Sequence, residues 1–445
     1  MIKSFLFKHI DNSALIVFRI FFGLLIALEA FGAVVTGWVN DTLIDPEFTF
    51  AFIGFEWLQP LPGSWMYIYY AIMGIFGVMV MLGYRYRLSI LAYTIMWTAT
   101  YFMQKASYNN HYYLLILLCL IMAILPANRY LSLDVKRDPN LKSISMPRWC
   151  SWILIIQMWI VYTYASIAKM YGDWLDTSVA EILMKSKQHY YVVGEFFQNK
   201  GFHYFLAYSG IIFDLLVIPL LLWKPTRKWA FFASIFFHLF NSIVFQVGIF
   251  PYMSLALCLF FFEPQTIRNI FLKKKTLYEG QFIEKPKHQN VFLSILSVYF
   301  IIQLVLPIRH HFIQDNVLWT EEGHRLSWRM MLRSRVGLTT YTVVNKDTNK
   351  AVKINLDDHL SKKQKQIAST RPDVIWQFSQ YLKQLYAKDG QDIAVYVNSQ
   401  VKVNGRRFQK LIDPEIDMAS VKWNAFKHSP WILPSQLDKS KASNP

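Results

Sequence analysis

The chain has 445 residues, of which 54% are hydrophobic and 17% are aromatic, and its formal net charge is +17. Apolar runs recur through its first two thirds, and each approaches the roughly 20 residues that a helix needs to cross a bilayer core. This pattern excludes an ordinary water-soluble protein. The three cysteines offer neither a disulfide framework nor a metal-ligand spacing, so we expect a multi-pass membrane protein without a metal site.

Nine apolar segments are predicted to cross the membrane as helices. The first contains Arg19 and Glu29 and is too long and too charged for a cleaved signal sequence, so we expect it to remain in the protein. The eighth is short and is predicted to be tilted or partly buried. The segments are residues 13–35, 65–83, 88–103, 111–126, 150–169, 202–223, 229–247, 249–262 and 290–307.

The basic residues predict an orientation, because short loops rich in lysine and arginine remain on the cytoplasmic side. Four loops have this composition, namely 85–87, 129–148, 224–228 and 268–287. Loop 36–64, in contrast, contains acidic residues and no lysine or arginine. The alternation predicts a cytoplasmic N-terminus and an outer face shared by His111 and Lys169. Because orientation accounts for the basic charge, no nucleic-acid partner is expected.

The composition changes after Pro307 to that of a soluble domain. We expect residues 1–307 to form a transmembrane helical domain and residues 308–445 to form an extracytoplasmic module. About 130 residues is a usual size for one domain. A polar tail follows Gln436. The predicted fold is therefore mainly α, a polytopic helical membrane bundle with a C-terminal mixed α/β module of β-sandwich-like character.

Several elements of the module can be predicted from local patterns. Alternating apolar and polar residues predict strands at 338–344 and 393–403, and residues 371–387 are predicted to be helical. Asn404-Gly405 predicts a tight hairpin turn that leads from the second strand into a further one at 406–412.

Lys169 lies where the fifth predicted span meets water, and it is the first candidate for chemistry. An amine at a dry boundary is easily held neutral, and a neutral amine can remove a proton as an ammonium group cannot. The alternative is a lysine that keeps its charged head in the interface and only buries its stem. The proximity of His111 to Asn109 and Asn110, at the start of the preceding span, favours the first reading.

Ionisable residues within predicted spans are costly in hydrocarbon and usually face an interior cavity. Asp214 and His238 are candidates for a proton-handling or orienting pair. Asn241 follows His238 by three residues and so shares its helical face, although hydrogen bonding between helices would also explain it. Arg19 is expected to neutralise an acidic partner such as Glu29 or Asp214.

Six motifs follow one another along the chain: Asn109-Asn-His111, Ala168-Lys-Met-Tyr-Gly-Asp-Trp174, Phe237-His-Leu-Phe-Asn-Ser242, Trp319-Thr-Glu-Glu-Gly323, Ser327-Trp-Arg-Met-Met-Leu-Arg-Ser-Arg335, and Asp413-Pro-Glu-Ile-Asp417 with Trp423 after it. In order, spacing and predicted sidedness they resemble the vitamin K-dependent gamma-glutamyl carboxylases, whose membrane part is shared with a wider set of bacterial proteins. The resemblance extends from Phe18-Arg19 to about Trp431.

The resemblance implies that a lysine deprotonates reduced vitamin K, a hydroquinone such as phylloquinol or menaquinol. Dioxygen then converts the anion into a strong base, which removes a gamma proton from glutamate. Carbon dioxide adds to give gamma-carboxyglutamate, and the vitamin leaves as its epoxide. Lys169 matches the family's base and His111 matches the histidine that assists it. The implied partners are a glutamate-containing peptide or protein and membrane lipid, with the protein a monomer or homodimer and no metal required.

The resemblance also assigns residues to the vitamin. Asn110, beside Asn109, would hydrogen-bond the quinol oxygen. Phe250, Met330 and Met331 would form an adaptable apolar wall for the ring, although such residues are as often plain packing.

The implied contacts of the glutamate substrate are Trp328, Arg333 and Arg335. The guanidinium groups of the two arginines have the fork geometry that binds a carboxylate. The alternative is that the two arginines hold the module to the membrane domain. The animal enzymes have an acid in place of Arg329 and histidine in place of Arg333. These departures concern substrate recognition and leave the quinol residues unchanged.

Two other functions remain open from the sequence. One is a vitamin K hydroquinone epoxidase or quinone oxidoreductase that lacks carboxylase activity. The other is a non-enzymatic lipid-binding or transport protein with the same arrangement of spans, although transporters usually contain repeated halves with broken helices, and no repeat is evident here.

Overall fold

Each of the nine predicted membrane segments is helical over most of its length in the computed structural model, which describes residues 2–437. The end of the predicted polar tail, from residue 438 on, lies outside this described part. The helices before the module are α1 (Ile2–Phe7), α2 (Ser13–Val35), α3 (Trp65–Leu82), α4 (Tyr86–Met103), α5 (Asn110–Ile124), α6 (Leu133–Arg137), α7 (Trp149–Lys169), α8 (Gly172–Leu175), α9 (Ser178–Lys185), α10 (Lys200–Leu222), α11 (Arg227–Phe240), α12 (Phe250–Leu257), α13 (Pro264–Phe271) and α14 (Gln289–Ile308).

Six helices in the described part are long and apolar enough to cross a membrane: Ser13–Val35, Trp65–Leu82, Trp149–Lys169, Lys200–Leu222, Arg227–Phe245 and Gln289–Phe312. The apolar helices Asn110–Ile124 and Phe250–Phe261 are shorter. At a rise of about 1.5 Å per residue, neither reaches the thickness of a hydrocarbon core of about 30 Å. The polytopic helical character is confirmed, and the count of nine spans stays a prediction.

Helix α7 is central to the bundle because it packs on α10, α14 and α5. Helix α10 lies close enough for the Ser166 hydroxyl of α7 to donate to the Ile211 carbonyl at 3.0 Å. Just beyond α7, the Trp174 indole donates to the Ala207 carbonyl at 3.1 Å. These contacts hold the C-terminal end of α7 against the first half of α10.

The partners expected for Arg19 were wrong. Its guanidinium is 1% exposed, and it donates to the carbonyls of Ala127 at 3.2 Å and Leu131 at 2.6 Å. These carbonyls follow the end of α5, where backbone acceptors have no partner within the helix. The acids named as candidates have other partners, since Glu29 is hydrogen-bonded to Tyr112 and Asp214 is paired with Lys169.

A two-stranded antiparallel sheet of β1 (His9–Asp11) and β2 (Ser145–Pro147) lies at the end of the bundle remote from Lys169. The module contains β3 (Arg335–Asn345), β4 (Ala351–Lys353), β5 (Ile393–Val403) and β6 (Gln409–Lys410), with helices α15 (Val317–Thr320), α16 (Lys362–Ala368) and α17 (Pro372–Ala387). Its four strands form one antiparallel sheet in the order β4-β3-β5-β6.

Two predicted strands and the predicted helix of the module are confirmed as β3, β5 and α17. The β-sandwich-like description was wrong for the described residues, because helices rather than a second sheet pack on the four-stranded sheet. Phe378 of α17, for example, meets Tyr341 of β3 edge to face at 4.9 Å.

The hairpin turn at Asn404-Gly405 is confirmed, with φ values of 52° and 77° and a hydrogen bond from Arg406 N to Val403 O at 3.2 Å. Positive φ at both central residues is the requirement of a tight hairpin turn. The strand that follows is much shorter than predicted, since β6 has only two residues. Arg406 instead directs its guanidinium to Asp173, and donates from Nη2 to Oδ1 at 2.7 Å.

A second polar contact between module and bundle is buried. Asp373 of α17 pairs with Lys105 at 2.8 Å and with Arg325 at 2.5 Å. Burial alone would raise the pKa of the Asp373 carboxyl, but Arg325 and Lys105 outweigh burial and lower that pKa. Together with the Arg406–Asp173 pair, this cluster fixes the module on the end of the bundle where α7 ends and α5 begins.

Candidate active site

A cavity of about 80 Å³ lies where the module meets the bundle. Its walls come from α5, α7, α10, α11 and α12 and from the module segment before β3. Seven of the residues singled out in the sequence line it: His111, Lys169, Asp214, Asn241, Phe250, Met330 and Met331. The structure therefore brings the candidate base and the candidate histidine to one apolar space.

Lys169 and Asp214 form a buried ion pair within this cavity. Lys169 Nζ donates to Asp214 Oδ2 at 2.5 Å and to the Ala165 carbonyl at 3.3 Å. The lysine side chain is 10% exposed and that of the aspartate 5%. The indole ring of Trp174 lies 5.9 Å from Nζ, within the range of a cation–π contact. Lys169 is thus drawn into the protein and does not extend to the interface as a snorkelling lysine would.

The suggested pairing of Asp214 with His238 was wrong. His238 Nε2 is hydrogen-bonded to the Tyr162 hydroxyl at 2.8 Å, and Tyr162 itself lines the cavity. Nδ1 of His238 is buried and has no hydrogen-bond partner among the described residues. Asn241 Nδ2 donates to the Phe237 carbonyl, four residues earlier in the chain, at 2.9 Å. This hydrogen bond does not involve a second helix.

The His111 ring stacks on Phe250, with centroids 4.2 Å apart and planes 18° from parallel. Phe250 also meets the His238 ring edge to face at 5.9 Å, so it separates the two imidazoles. Within residues 2–437, no hydrogen bond joins His111 to Lys169. His111 therefore shares the cavity with the amine but does not orient it directly.

Asn109 and Asn110 hold the start of α5 in place. The Asn109 side chain accepts from Tyr112 N at 2.8 Å and caps the helix. Asn110 accepts from the Tyr108 hydroxyl at 2.7 Å and donates to the Arg329 carbonyl at 3.1 Å. Neither asparagine lines the cavity, and their contact with the quinol stays a prediction.

The module segment that carries the two methionines has an unusual backbone. Glu321, Leu326, Trp328 and Met331 all have φ between 55° and 61°, a left-handed conformation that costs non-glycine residues of the order of 1–3 kcal/mol each. Trp328 is 1% exposed and stacks on Tyr113 at 5.0 Å. It belongs to the core of the bundle and anchors the segment there, whereas its contact with substrate stays a prediction.

The two arginines proposed as substrate contacts already have partners. Arg333 makes a two-pronged contact with the Glu321 carboxylate. Arg335 donates to the carbonyls of Trp319 at 2.9 Å and Thr370 at 2.6 Å. Burial alone would raise the pKa of the Glu321 carboxyl, but Arg333 and Arg335 outweigh burial and hold that pKa well below its usual value. Both arginines therefore have structural partners, but these partners lie within the module and do not join it to the membrane domain.

Known family models match both parts of the chain. The HTTM domain model matches residues 7–265, which is more than half of the chain. The model of the vitamin K-dependent gamma-carboxylase lumenal domain matches residues 288–438. The chain belongs to the vitamin K-dependent gamma-glutamyl carboxylase family. The two matches support a carboxylase-type function that depends on vitamin K, in an integral membrane protein. No solved structure matches the chain.

Sequence reasoning missed two acidic partners in this member of the carboxylase family. Asp214 was singled out but not paired with Lys169, although each is an ionisable residue in a predicted span and the two spans are neighbours in the chain. Glu321 was noted only as part of a motif. Its position twelve residues before Arg333 gives no local signal, because a turn of irregular backbone brings the two together.

The ion pair predicts a stability coupling between its two residues. Lys169→Ala or Asp214→Ala alone is expected to lower the free energy of unfolding by about 3–5 kcal/mol, because each leaves a buried charge without its partner. The double variant should lose less than the sum of the two single losses. Thermal unfolding of the four proteins in detergent measures this coupling, and strictly additive losses would show that the two side chains do not interact.

Proposed function

We propose that the protein is an integral membrane enzyme that couples oxidation of a reduced naphthoquinone to its epoxide with carboxylation of glutamate side chains, using dioxygen and carbon dioxide. One observation carries the proposal. Lys169 and His111 line a single, mostly apolar cavity, in which Asp214 is the ion-pair partner of Lys169.

The residues around the cavity fit a naphthoquinone ring. Phe250, Met330 and Met331 offer apolar surface, and methionine side chains adapt readily to a new shape. The cavity of about 80 Å³ is smaller than the roughly 300–1,000 Å³ of typical ligand sites. We therefore expect the methionines to move aside when the ring enters. Gly210 leaves additional space for the ring, because no atom lies within 4 Å of the position that its Cβ would occupy.

Bound vitamin K hydroquinone would supply, together with dioxygen, the strong base that removes the gamma proton of glutamate. In our proposal Lys169 takes a phenolic proton while it passes one of its own to Asp214. Lys169 then remains positive and faces the oxygen that has lost its proton, and Asp214 becomes neutral, so the cavity gains no net charge. The pair, rather than a lone neutral amine, is the unit that takes up the proton.

His111 would act on the bound ring rather than through the amine. It lines the same cavity but is stacked on Phe250 and has no hydrogen bond to Lys169 in the described part of the chain. With the ring bound, the apolar walls would exclude water, which protects a strong base from being quenched.

One observation favours a narrower activity, epoxidation of the hydroquinone without carboxylation of a peptide. Arg333 is bound by Glu321 and Arg335 by backbone carbonyls, so a substrate carboxylate would have to displace Glu321 or use another cation.

Arg329 is a cation that a substrate carboxylate could use instead. Its Nη1 lies 3.3 Å from His310 Nε2, and its Nε is buried without a partner among the described residues.

We also propose the finer topology. The protein would cross a bacterial inner membrane about nine times with its N-terminus in the cytoplasm, residues 1–307 forming the catalytic domain. The module from residue 308 on would face the outside, where peptide substrate arrives. The contacts of Asp173 and Lys105 with the module support this, because both residues belong to loops predicted to lie on the outer side. Membrane lipid and a glutamate-containing protein would be the partners of a monomer or homodimer.

The experiment that tests the function uses purified protein with reduced menaquinone, labelled bicarbonate and a glutamyl peptide. Mass measurement should find both the epoxide and the carboxylated peptide. The variant Lys169→Ala/Asp214→Ala should produce neither, because the proton acceptor is gone while no unpaired charge is left to disturb the fold. Lys185→Ala, an exposed lysine of α9, is the control and should retain both products.

The products separate the alternatives. Epoxide without carboxylated peptide from the unchanged protein would leave the narrower epoxidase. Retained lipid with no oxygen uptake would identify a non-enzymatic binding protein. Epoxide formed at the normal rate by the Lys169→Ala/Asp214→Ala variant would contradict the role of the ion pair.

Filling the cavity is expected to lower activity without changing either residue of the ion pair. In Gly210→Leu the new side chain would extend into the space reserved for the ring, so quinol oxidation should fall at least about tenfold, the loss of roughly 1.4 kcal/mol of binding. Gly32→Leu is the matched control, since Gly32 is also helical, has no atom within 4 Å of its Cβ position and does not line the cavity. Equal activity of the two variants would exclude this cavity as the ring site.

A further inference from the structure

An apolar groove of about 400 Å³ lies between α10 and α11, on the side of the bundle that carries the candidate active site. Its lining extends along α10 from Phe202 to Leu220, which corresponds to about 27 Å at 1.5 Å per residue. Phe205, Ile212 and Phe236 in its walls are 57%, 55% and 65% exposed. The groove is therefore open toward the surrounding lipid for most of the membrane's thickness.

The groove adjoins the active-site cavity. Leu206, Phe237 and Asn241 line both spaces. Two other large apolar grooves, of about 620 Å³ between α7 and α14 and about 450 Å³ beside α2 and α13, share no lining residue with the cavity. Among these three, the α10–α11 groove is the one that adjoins the cavity of Lys169 and Asp214.

The chemistry of the walls indicates what the groove can hold. They are almost entirely aliphatic and aromatic, and the polar groups of Ser209 and Asn241 are both turned to carbonyls of their own helices. Such a surface gives no binding energy to a charged or polar head group. It suits a long apolar chain that lies along the helices.

We propose that the α10–α11 groove binds the polyprenyl tail of the quinol while the ring occupies the cavity, so that the natural substrate is a long-tailed menaquinol. This inference rests on the proposed function. The cavity alone, at about 80 Å³, is far below the size of a typical ligand site, whereas together with the groove it falls within the range of roughly 300–1,000 Å³. The tail would be held by burial of its methylene and methyl groups, each worth about 0.8 kcal/mol.

The first test compares two substrates in two variants. Ile212→Trp places an indole in the groove, and Leu215→Trp places one on the same helix at a position that does not line it. With a menaquinol that carries a polyprenyl tail, Ile212→Trp should raise KM at least about tenfold, as expected when two or more methylene groups lose their burial. With menadiol, the same ring without a tail, both variants should resemble the unchanged protein.

The second test does not depend on turnover. A menaquinone analogue with a photoreactive diazirine in its tail should label peptides of α10 and α11, and labelling should fall in Ile212→Trp but not in Leu215→Trp. Labelling that falls mainly on α14 or on α2 and α13 would overturn the proposal. So would identical KM values for the tailed substrate in the two variants.

The outcomes distinguish the groove from the function. If no quinol of either kind is oxidised, the proposed function fails, and the position of the photolabel still decides whether the groove binds a tail. If menadiol is oxidised normally and Ile212→Trp leaves the tailed substrate unaffected, the function stands and the groove proposal fails.

Discussion

Two opposite charges, Lys169 and Asp214, meet in a part of the protein that holds little water, and neither could be buried without the other. An isolated charge in such surroundings costs several kcal/mol, so their 2.5 Å contact requires the end of α7 and the middle of α10 to stay together. The hydrogen bond from Trp174 to α10 strengthens the same junction. That junction places the residues of α7 and α10 that line the cavity.

The module completes the site as well as covering it. Met330 and Met331 line the cavity. They lie on a segment whose left-handed residues are kept in place by Trp328 in the bundle core and by the Arg333–Glu321 pair. Backbone strain of this kind persists only where the surroundings over-determine it. The two arginines that the family resemblance implies for the substrate thus hold the segment that forms one wall of the cavity.

The sequence predicted what depends on local pattern. The apolar segments became helices, β3, β5 and α17 lie where alternation and helical periodicity placed them, and Lys169 and His111 share one end of the bundle as the charge distribution of the loops required. What it could not predict is the choice of partner. Asp214 was expected beside His238, and Arg19 beside Glu29 or Asp214. Both have other partners, because these contacts depend on how helices distant in the chain cross.

The central claim is that Asp214 receives a proton when Lys169 takes one from the bound hydroquinone. Infrared difference spectroscopy tests it most directly, with reduced menaquinone added to the purified protein in the absence of oxygen. We expect a new band from a protonated carboxyl group that is absent in Asp214→Asn. A protein that binds the hydroquinone and forms epoxide when oxygen is admitted, but shows no change at the Asp214 carboxyl, would contradict the account.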